Sequence, residues 1–158
     1  MTATVAIAIS GGVDSLVAAH LIQQQTNDLF GVHFLTGYEK DAPAQSAGVA
    51  ALCRQRGLPL HTIDLSASFT TLVVDYFARA YDSGETPNPC LVCNPAIKFG
   101  LLMETVRRLG ATRLATGHYA RVQAGPDGRR RLRQGVDPSK DQSYFLSRLT
   151  QNQLARAV

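Results

Sequence analysis

The chain opens on an apolar run, Thr4-Val5-Ala6-Ile7-Ala8-Ile9, that passes directly into Ser10-Gly11-Gly12-Val13-Asp14-Ser15. The run is rich in β-formers, and the residues from Val13 onward read as a helix. A strand that turns through two glycines straight into a helix aims backbone N–H groups and a helix N-terminus at one point, which suits an anion. Gly11 and Gly12 allow close backbone approach and dihedrals closed to other residues, while Ser10 and Ser15 add hydroxyl donors. The loop has no lysine, which excludes a Walker A loop, and it lacks the spacing of a dinucleotide fingerprint.

Strand and helix patterns alternate through the rest of the chain, which predicts an α/β fold with a parallel sheet and helices on both faces. Strands are expected at 5–9, 29–35, 60–65 and 113–115, and a hairpin at 119–123 and 131–134 around Gly125-Pro126-Asp127-Gly128. Helices are expected at 13–25, with Leu16, Val17 and Leu21 inward, and at 45–56, closed by Gly57. A third, at 66–81, puts Phe69, Leu72, Val73, Tyr76 and Phe77 in the core. A fourth follows Pro95 and ends at Gly110, and a last one runs from Thr150 to the final residue, Val158. A helix that simply stops there is what a chain shortened at its C-terminus would show.

At 158 residues the chain is expected to form one domain, 1–158, and no apolar run approaches the ~20 residues of a membrane span. With no leader-like N-terminus, a cytoplasmic protein is expected. The net charge of +4 suits a nucleic-acid partner without requiring one. Three cysteines do not read as a disulfide framework in such a protein. Cys53 reads as a buried apolar residue among Ala50 and Leu52.

Three more motifs follow in order. The first is Thr86-Pro87-Asn88-Pro89-Cys90-Leu91-Val92-Cys93-Asn94 with Ile97-Lys98-Phe99-Gly100; the second is Ala115-Thr116-Gly117-His118-Tyr119; the third is Lys140-Asp141-Gln142-Ser143-Tyr144-Phe145-Leu146. The loop at 10–15 resembles the pyrophosphate-binding (PP) loop of the Rossmann-like adenine-nucleotide alpha-hydrolases, the PP-loop ATP pyrophosphatases. All four motifs together resemble the tRNA-uridine 2-sulfurtransferases, or MnmA-type tRNA 2-thiouridylases, from the first strand to the last residue.

That resemblance implies a reaction. The O2 of the wobble uridine, position 34, attacks the α-phosphate of ATP; a cysteine persulfide then delivers sulfur to C2 and AMP leaves. ATP and Mg²⁺ are the implied cofactors, and tRNA and a persulfide or sulfide donor protein the implied partners. By position, Ala8, Ile9, Ser10, Gly11, Gly12, Val13, Asp14, Ser15, Phe34 and Gly117 match the nucleotide-binding points. Asp14 is a poor direct partner for phosphate and is expected to orient the loop or a metal. Cys93 matches the nucleophile; Asn88, Pro89 and Cys90 match the segment that meets the target base; His118, Lys140, Asp141 and Gln142 match tRNA contacts. As a lone residue His118 reads more often as a structural histidine, and its place in Thr-Gly-His-Tyr after a buried strand tilts it toward a site at the carboxyl edge of the sheet; the hairpin arginines Arg129, Arg130, Arg131 and Arg133 read as a solvated loop or as phosphate contacts.

The chain departs from the family where many members carry an aspartate and this sequence has Cys90. The family's second relay cysteine lies downstream of the residues present. Either Cys93 works with that distant cysteine, or Cys90 and Cys93 form a local pair that exchanges persulfide and disulfide or binds an iron–sulfur cluster with one more ligand. No closed metal site is assigned, because two thiolates are too few for one. Two other classes remain open: a PP-loop enzyme that adenylates a small substrate, and a nucleotide- or RNA-binding module without catalysis.

Overall fold

The structure, a computed structural model, describes residues 4–158. Four parallel strands, β1 (Val5–Ala8), β2 (Leu29–Leu35), β3 (Leu60–Asp64) and β4 (Arg113–Ala115), form one sheet in the order β3-β2-β1-β4. Helices α1 (Val13–Gln23) and α2 (Ala42–Gln55) cover one face. The helical stretch 90–108, here α4, covers the other with the C-terminal helix α5 (Gln151–Arg156). A further helical stretch, 66–82 (α3), follows β3. The antiparallel hairpin β5 (Ala120–Ala124) and β6 (Arg130–Gln134) stands apart from the main sheet.

The period of two along β1 builds both halves of the core. Val5, Ile7 and Ile9 pack with Ala19, Ile22, Val49 and Cys53 of α1 and α2. Ala6 faces the opposite cluster, where Phe99, Leu102, Met103 and Val106 of α4 meet Leu146, Leu149 and Leu154. Ile7, Ile97, Leu102 and Leu114 are fully buried, each worth about 1.5–3 kcal/mol by transfer. Cys53 is 1% exposed, as expected for an apolar packing residue.

Several elements differ from the expectation. The inward face of α1 is Ser15, Ala19 and Ile22, and Val17 and Leu21 stand half-exposed. The cause lies in the preceding loop, which pulls the Ser15 hydroxyl inward; at about 100° per residue, Ala19 and Ile22 then follow it inside. Helix α2 starts three residues early, because Asp41 caps it by accepting from the Ala44 N–H at 3.0 Å and Pro43 fits the first turn.

Helix α3 widens to a π turn over Thr70–Val74. Such a turn adds a residue and rotates everything after it by about 100°. Val73 and Ala80 are buried, while Leu72 and Phe77 reach solvent instead of the core. The last helix does not run to Val158. A capping box at Thr150 starts it, it ends at Arg156, and Ala157 turns extended to bridge Leu114 of β4 in parallel.

Helix α4 is π-helical across Asn94–Leu102. Pro95 lacks the N–H that an α-helical ladder would use at that point. Gly100 is the other half of the device: a Cβ there would stand 2.7 Å from the Pro95 carbonyl oxygen. The Gln153 amide fastens the widened helix to α5, donating to Pro95 O at 2.7 Å and Phe99 O at 3.2 Å. Alanine is the better helix former by about 1 kcal/mol, but overpacking of this kind costs about 1–3 kcal/mol. Gly100→Ala is therefore expected to lower stability by about 1–2 kcal/mol. A urea midpoint that held or rose would show that the glycine does not serve the widening.

Candidate active site

The chain winds from β1 to β2 and β3 on one side, then returns to place β4 on the other. A parallel α/β sheet opens a crevice at such a switch, outside the carboxyl ends of its strands. Here the crevice is a cleft of about 260 Å³. Ala8, Ile9 and Ser10 line it from the end of β1, and Asp14 and Ser15 from the first turn of α1. Thr116, Gly117 and His118 line it from the segment after β4, and Phe34, Lys98 and Gln142 complete it.

The loop before α1 is braced from within. Gly11 stands at φ +86°, in the left-handed region that glycine alone enters freely. Ser15 Oγ accepts from the Ser10 N–H at 3.3 Å and donates to the Gly12 carbonyl at 2.9 Å. Ser10 Oγ accepts from the Gly12 N–H at 3.3 Å. The Ser15 hydroxyl, expected to donate outward, spends its proton inside the loop. Gly12 at the N-cap brings no side-chain bond to the helix. The first intrahelical bond is Leu16 N–H to Gly12 O, so the N–H groups of Val13, Asp14 and Ser15 have no helical acceptor. They form the positive end of the helix dipole. The Val13 side chain points to solvent and contributes only its backbone.

Gly117 packs directly against that turn: a Cβ on it would lie 2.7 Å from the Asp14 carbonyl carbon and 2.8 Å from the Ser15 nitrogen. Asp14 is oriented by the Tyr119 hydroxyl, which donates to Oδ1 at 3.0 Å. That bond keeps the tyrosine proton on above its ordinary range. Gln142 is tied to the same segment, accepting from the Tyr119 N–H at 3.1 Å and donating its own N–H to Tyr119 O at 2.9 Å.

His118 lies over Phe99, ring centroids 6.5 Å apart. Burial, and then the nearby Lys98 charge, hold its pKa down from 6.5 to about 4, so the ring is neutral at neutral pH. Its Nε2 faces Lys98 Nζ at 3.4 Å and its Nδ1 faces Thr116 Oγ1 at 2.7 Å. A neutral ring that accepts at Nε2 carries its proton on Nδ1 and donates it to Thr116.

The expected tRNA triplet separates. Gln142 lines the cleft. Asp141 holds the loop, accepting from the Gly135 N–H at 2.7 Å and the Ser143 hydroxyl at 2.8 Å. Those bonds, the Gly135 N–H foremost, keep its carboxyl below the ordinary range. Lys140 is exposed at the end of a 3-10 turn, Pro138–Lys140.

Asn88 and Pro89, just before α4, and Cys90 and Cys93, in its first turn, lie outside the cleft lining. This turn packs against Thr70–Val74 and Ser143–Leu146. The Asn88 side chain accepts from the Cys90 N–H at 3.1 Å and shapes the turn. Cys90 is exposed and Cys93 half-buried, three positions apart and so on one helical face. Burial pushes the Cys93 thiol up, and the Lys98 charge pulls it back. Buried Asn94 donates to Phe145 O at 2.8 Å and locks the cysteine turn to the 143–146 turn. Among the described residues no three His, Cys, Asp or Glu side chains gather as metal ligands. Cys90 and Cys93 are two thiols, and no third ligand stands beside them among the described residues.

Four site residues stand in the sequence motifs without a role of their own there: Lys98, Thr116, Tyr119 and Asn94. The signal for Asn94 was present, since a polar amide on an apolar helix face needs a partner. The others gain meaning only from neighbours that the fold supplies.

The parallel sheet with helices on both faces and a cleft at its switch point is an α/β fold of the HUP type. Among solved structures, the U34-tRNA thiolase NcsA from Methanococcus maripaludis, described with its 4Fe–4S cluster, shares this fold at TM-score 0.54 and 24% identity, over 73% of this chain and 38% of that one. The NH3-dependent NAD synthetase of Campylobacter jejuni shares it at TM-score 0.50 and 18% identity, over 73% of this chain and 47% of that one. The family model of the tRNA methyl transferase HUP domain matches residues 3–158, and the chain belongs to that family. It is 53% identical to the tRNA-specific 2-thiouridylase MnmA of Desulfosudis oleivorans over 97% of its length and 42% of that protein. Against the protein of the same name in Trichlorobacter lovleyi it is 46% identical, over 98% of its length and 44% of that protein. The chain thus spans less than half the length of these relatives. No described helix is long and apolar enough to cross a membrane.

The low pKa of His118 has a consequence for stability. Between pH 6.5 and 4 the unfolded chain binds a proton that the folded ring refuses. Stability contributed at this position is therefore complete above pH 6.5 and falls as the pH drops. Relative to His118→Gln, the wild type should lose roughly 3 kcal/mol of unfolding free energy from pH 7.5 to pH 4. Parallel curves for the two proteins would mean that the ring is not held neutral.

Proposed function

We propose that residues 1–158 carry the adenylation and thiolation site of a tRNA-uridine 2-sulfurtransferase. The observation that carries this reading is the open α1 N-terminus at the switch point, in one cleft with Lys98 of the helix that begins at Cys90 and Cys93. An uncapped helix end with no lysine in its loop binds the pyrophosphate end of ATP through N–H groups alone. Phe34 offers a ring to the adenine. Asp14, oriented by Tyr119, is the carboxylate of the cleft lining, and one carboxylate together with nucleotide phosphates suits Mg²⁺. When bound, that ion would neutralise phosphate charge.

In the first half-reaction the uridine O2 forms a bond to the α-phosphorus. The bond to the pyrophosphate oxygen breaks, and pyrophosphate leaves with the electron pair. In the second, the terminal sulfur of a Cys93 persulfide bonds to C2 and AMP departs with the former O2. Cys90, one helical turn away, is suited to attack Cys93 Sγ. That step leaves 2-thiouridine and a Cys90–Cys93 disulfide, which an external dithiol then reduces. The basic hairpin supports a tRNA partner: Arg131 pairs with Asp127 at 3.4 Å, and Arg129, Arg130 and Arg133 have no ion-pair partner among the described residues. A donor protein would charge Cys93 with sulfur, and the cytoplasm, where tRNA resides, is the fitting compartment.

The test is nucleoside mass spectrometry on tRNA incubated with the chain, ATP, Mg²⁺ and a persulfide donor, beside an ATP-binding titration. We expect 2-thiouridine from the wild type and none from Cys93→Ser or Cys90→Ser, with ATP binding intact in all three. An undiminished yield in Cys90→Ser would remove the local pair, and a chain that binds no ATP would remove the whole reading.

A further inference from the structure

Lys98 is the one lysine or arginine lining the cleft among the described residues. The loop 10–15 carries no cationic side chain, so a protein cation opposite a bound nucleotide comes from elsewhere in the cleft. Its place there follows from the π register of α4. In an α-helix, residues five apart diverge by about 140°; in an i→i+5 ladder they lie close to one turn apart. The widening made possible by Pro95 and Gly100 thus brings Lys98 round to the side of Cys93.

The state of its ammonium group is also informative. Among the described residues Lys98 forms no salt bridge. Its neighbour is the neutral Nε2 of His118, at 3.4 Å. A half-buried cation parked on a neutral acceptor, 3.4 Å away, is held in place without being neutralised, and it stays available to an anion.

We propose that Lys98 is the phosphate-gripping cation of this site and that it holds the α-phosphate of the nucleotide. This rests on the reading of the cleft as an ATP site. The α1 N-terminus takes the pyrophosphate end. Lys98 arrives from the other side, on the helix that begins with the cysteines. The α-phosphorus is the atom that must lie between the two, since it is bonded first to pyrophosphate and then to the uridine oxygen that AMP carries away. Lys98 contributes its charge to the reaction and transfers no proton. It stabilises charge on the phosphoryl oxygens in the first half-reaction and on the leaving AMP in the second. His118 is a positioning residue for it, fixed in turn by Thr116.

AMP and adenosine differ by the α-phosphate alone, so their affinities for the chain isolate this contact. Calorimetric titration of the wild type should show tighter binding of AMP than of adenosine. Lys98→Met should lose roughly 10–100-fold in AMP affinity, the range of a charge-assisted hydrogen bond, with adenosine affinity unchanged. If Lys98→Met disturbs folding and adenosine binding falls too, Lys98→Gln, which keeps a donor for His118 without the charge, carries the same comparison. An AMP-to-adenosine ratio equal to that of the wild type in the folded variant would overturn the proposal and leave the ATP reading standing. A wild type that binds neither ATP nor AMP would overturn both.

Discussion

Three backbone N–H groups at the start of α1 have no acceptor within their own helix, and the surrounding structure keeps them so. A serine or aspartate at the N-cap would satisfy one of them and add about 1 kcal/mol of stability. The chain places Gly12 there instead and turns its two serines inward. Ser15 bonds the Gly12 carbonyl, and Ser10 bonds the Gly12 N–H. The loop is therefore rigid while the helix end stays open. The same brace decides which face of α1 is buried, and that face joins Val49 and Cys53 of α2 in the core beneath the loop. Gly117 then lies against the first turn at a distance no side chain tolerates, which binds the end of β4 to the end of β1.

The second half of the site depends on a departure from regular helix. An α-helical ladder through 94–102 would separate the faces of Cys93 and Lys98. Pro95 and Gly100 support a wider one, and Gln153 satisfies carbonyls along it from the C-terminal segment. Asn94 and Asp141 secure the adjoining turns at 143–146. These groups are far apart in sequence and converge on one short stretch of helix. Helix α4 is thus held by its neighbours in a form its own propensity would not select. That form connects a thiol outside the cleft to a cation inside it.

Much of the fold was legible in the residue pattern. The strand positions, the alternation that makes the sheet parallel, the glycine stops at Gly57 and Gly110 and the hairpin at 120–134 follow from local rules of turn chemistry and period. The phases of two helices were not legible. In α1 a loop hydroxyl overrode the hydrophobic count, and in α3 a π turn shifted the pattern midway, so that Phe77 lies against Tyr81 near the surface, ring centroids 5.1 Å apart, rather than in the core. The last helix was misread for a third reason: Ala157 leaves it to pair with Leu114, a partner 43 positions earlier in the chain.

The sequence by itself determined the chemistry on offer, a strand end whose free N–H groups suit an anion and a pair of thiols three residues apart, because both depend on neighbours along the chain. The tertiary structure decided how those groups are shared out. It joined Asp14 to Tyr119, set Lys98 on a neutral His118, and turned Asp141 into a loop clamp while its neighbour Gln142 reached the cleft. The physical reason is distance along the chain. A capped turn or an alternating strand is settled by interactions within a few residues. The charge state of His118 and the reach of Lys98 depend on burial and on partners that meet only when β1, β4 and α4 pack together.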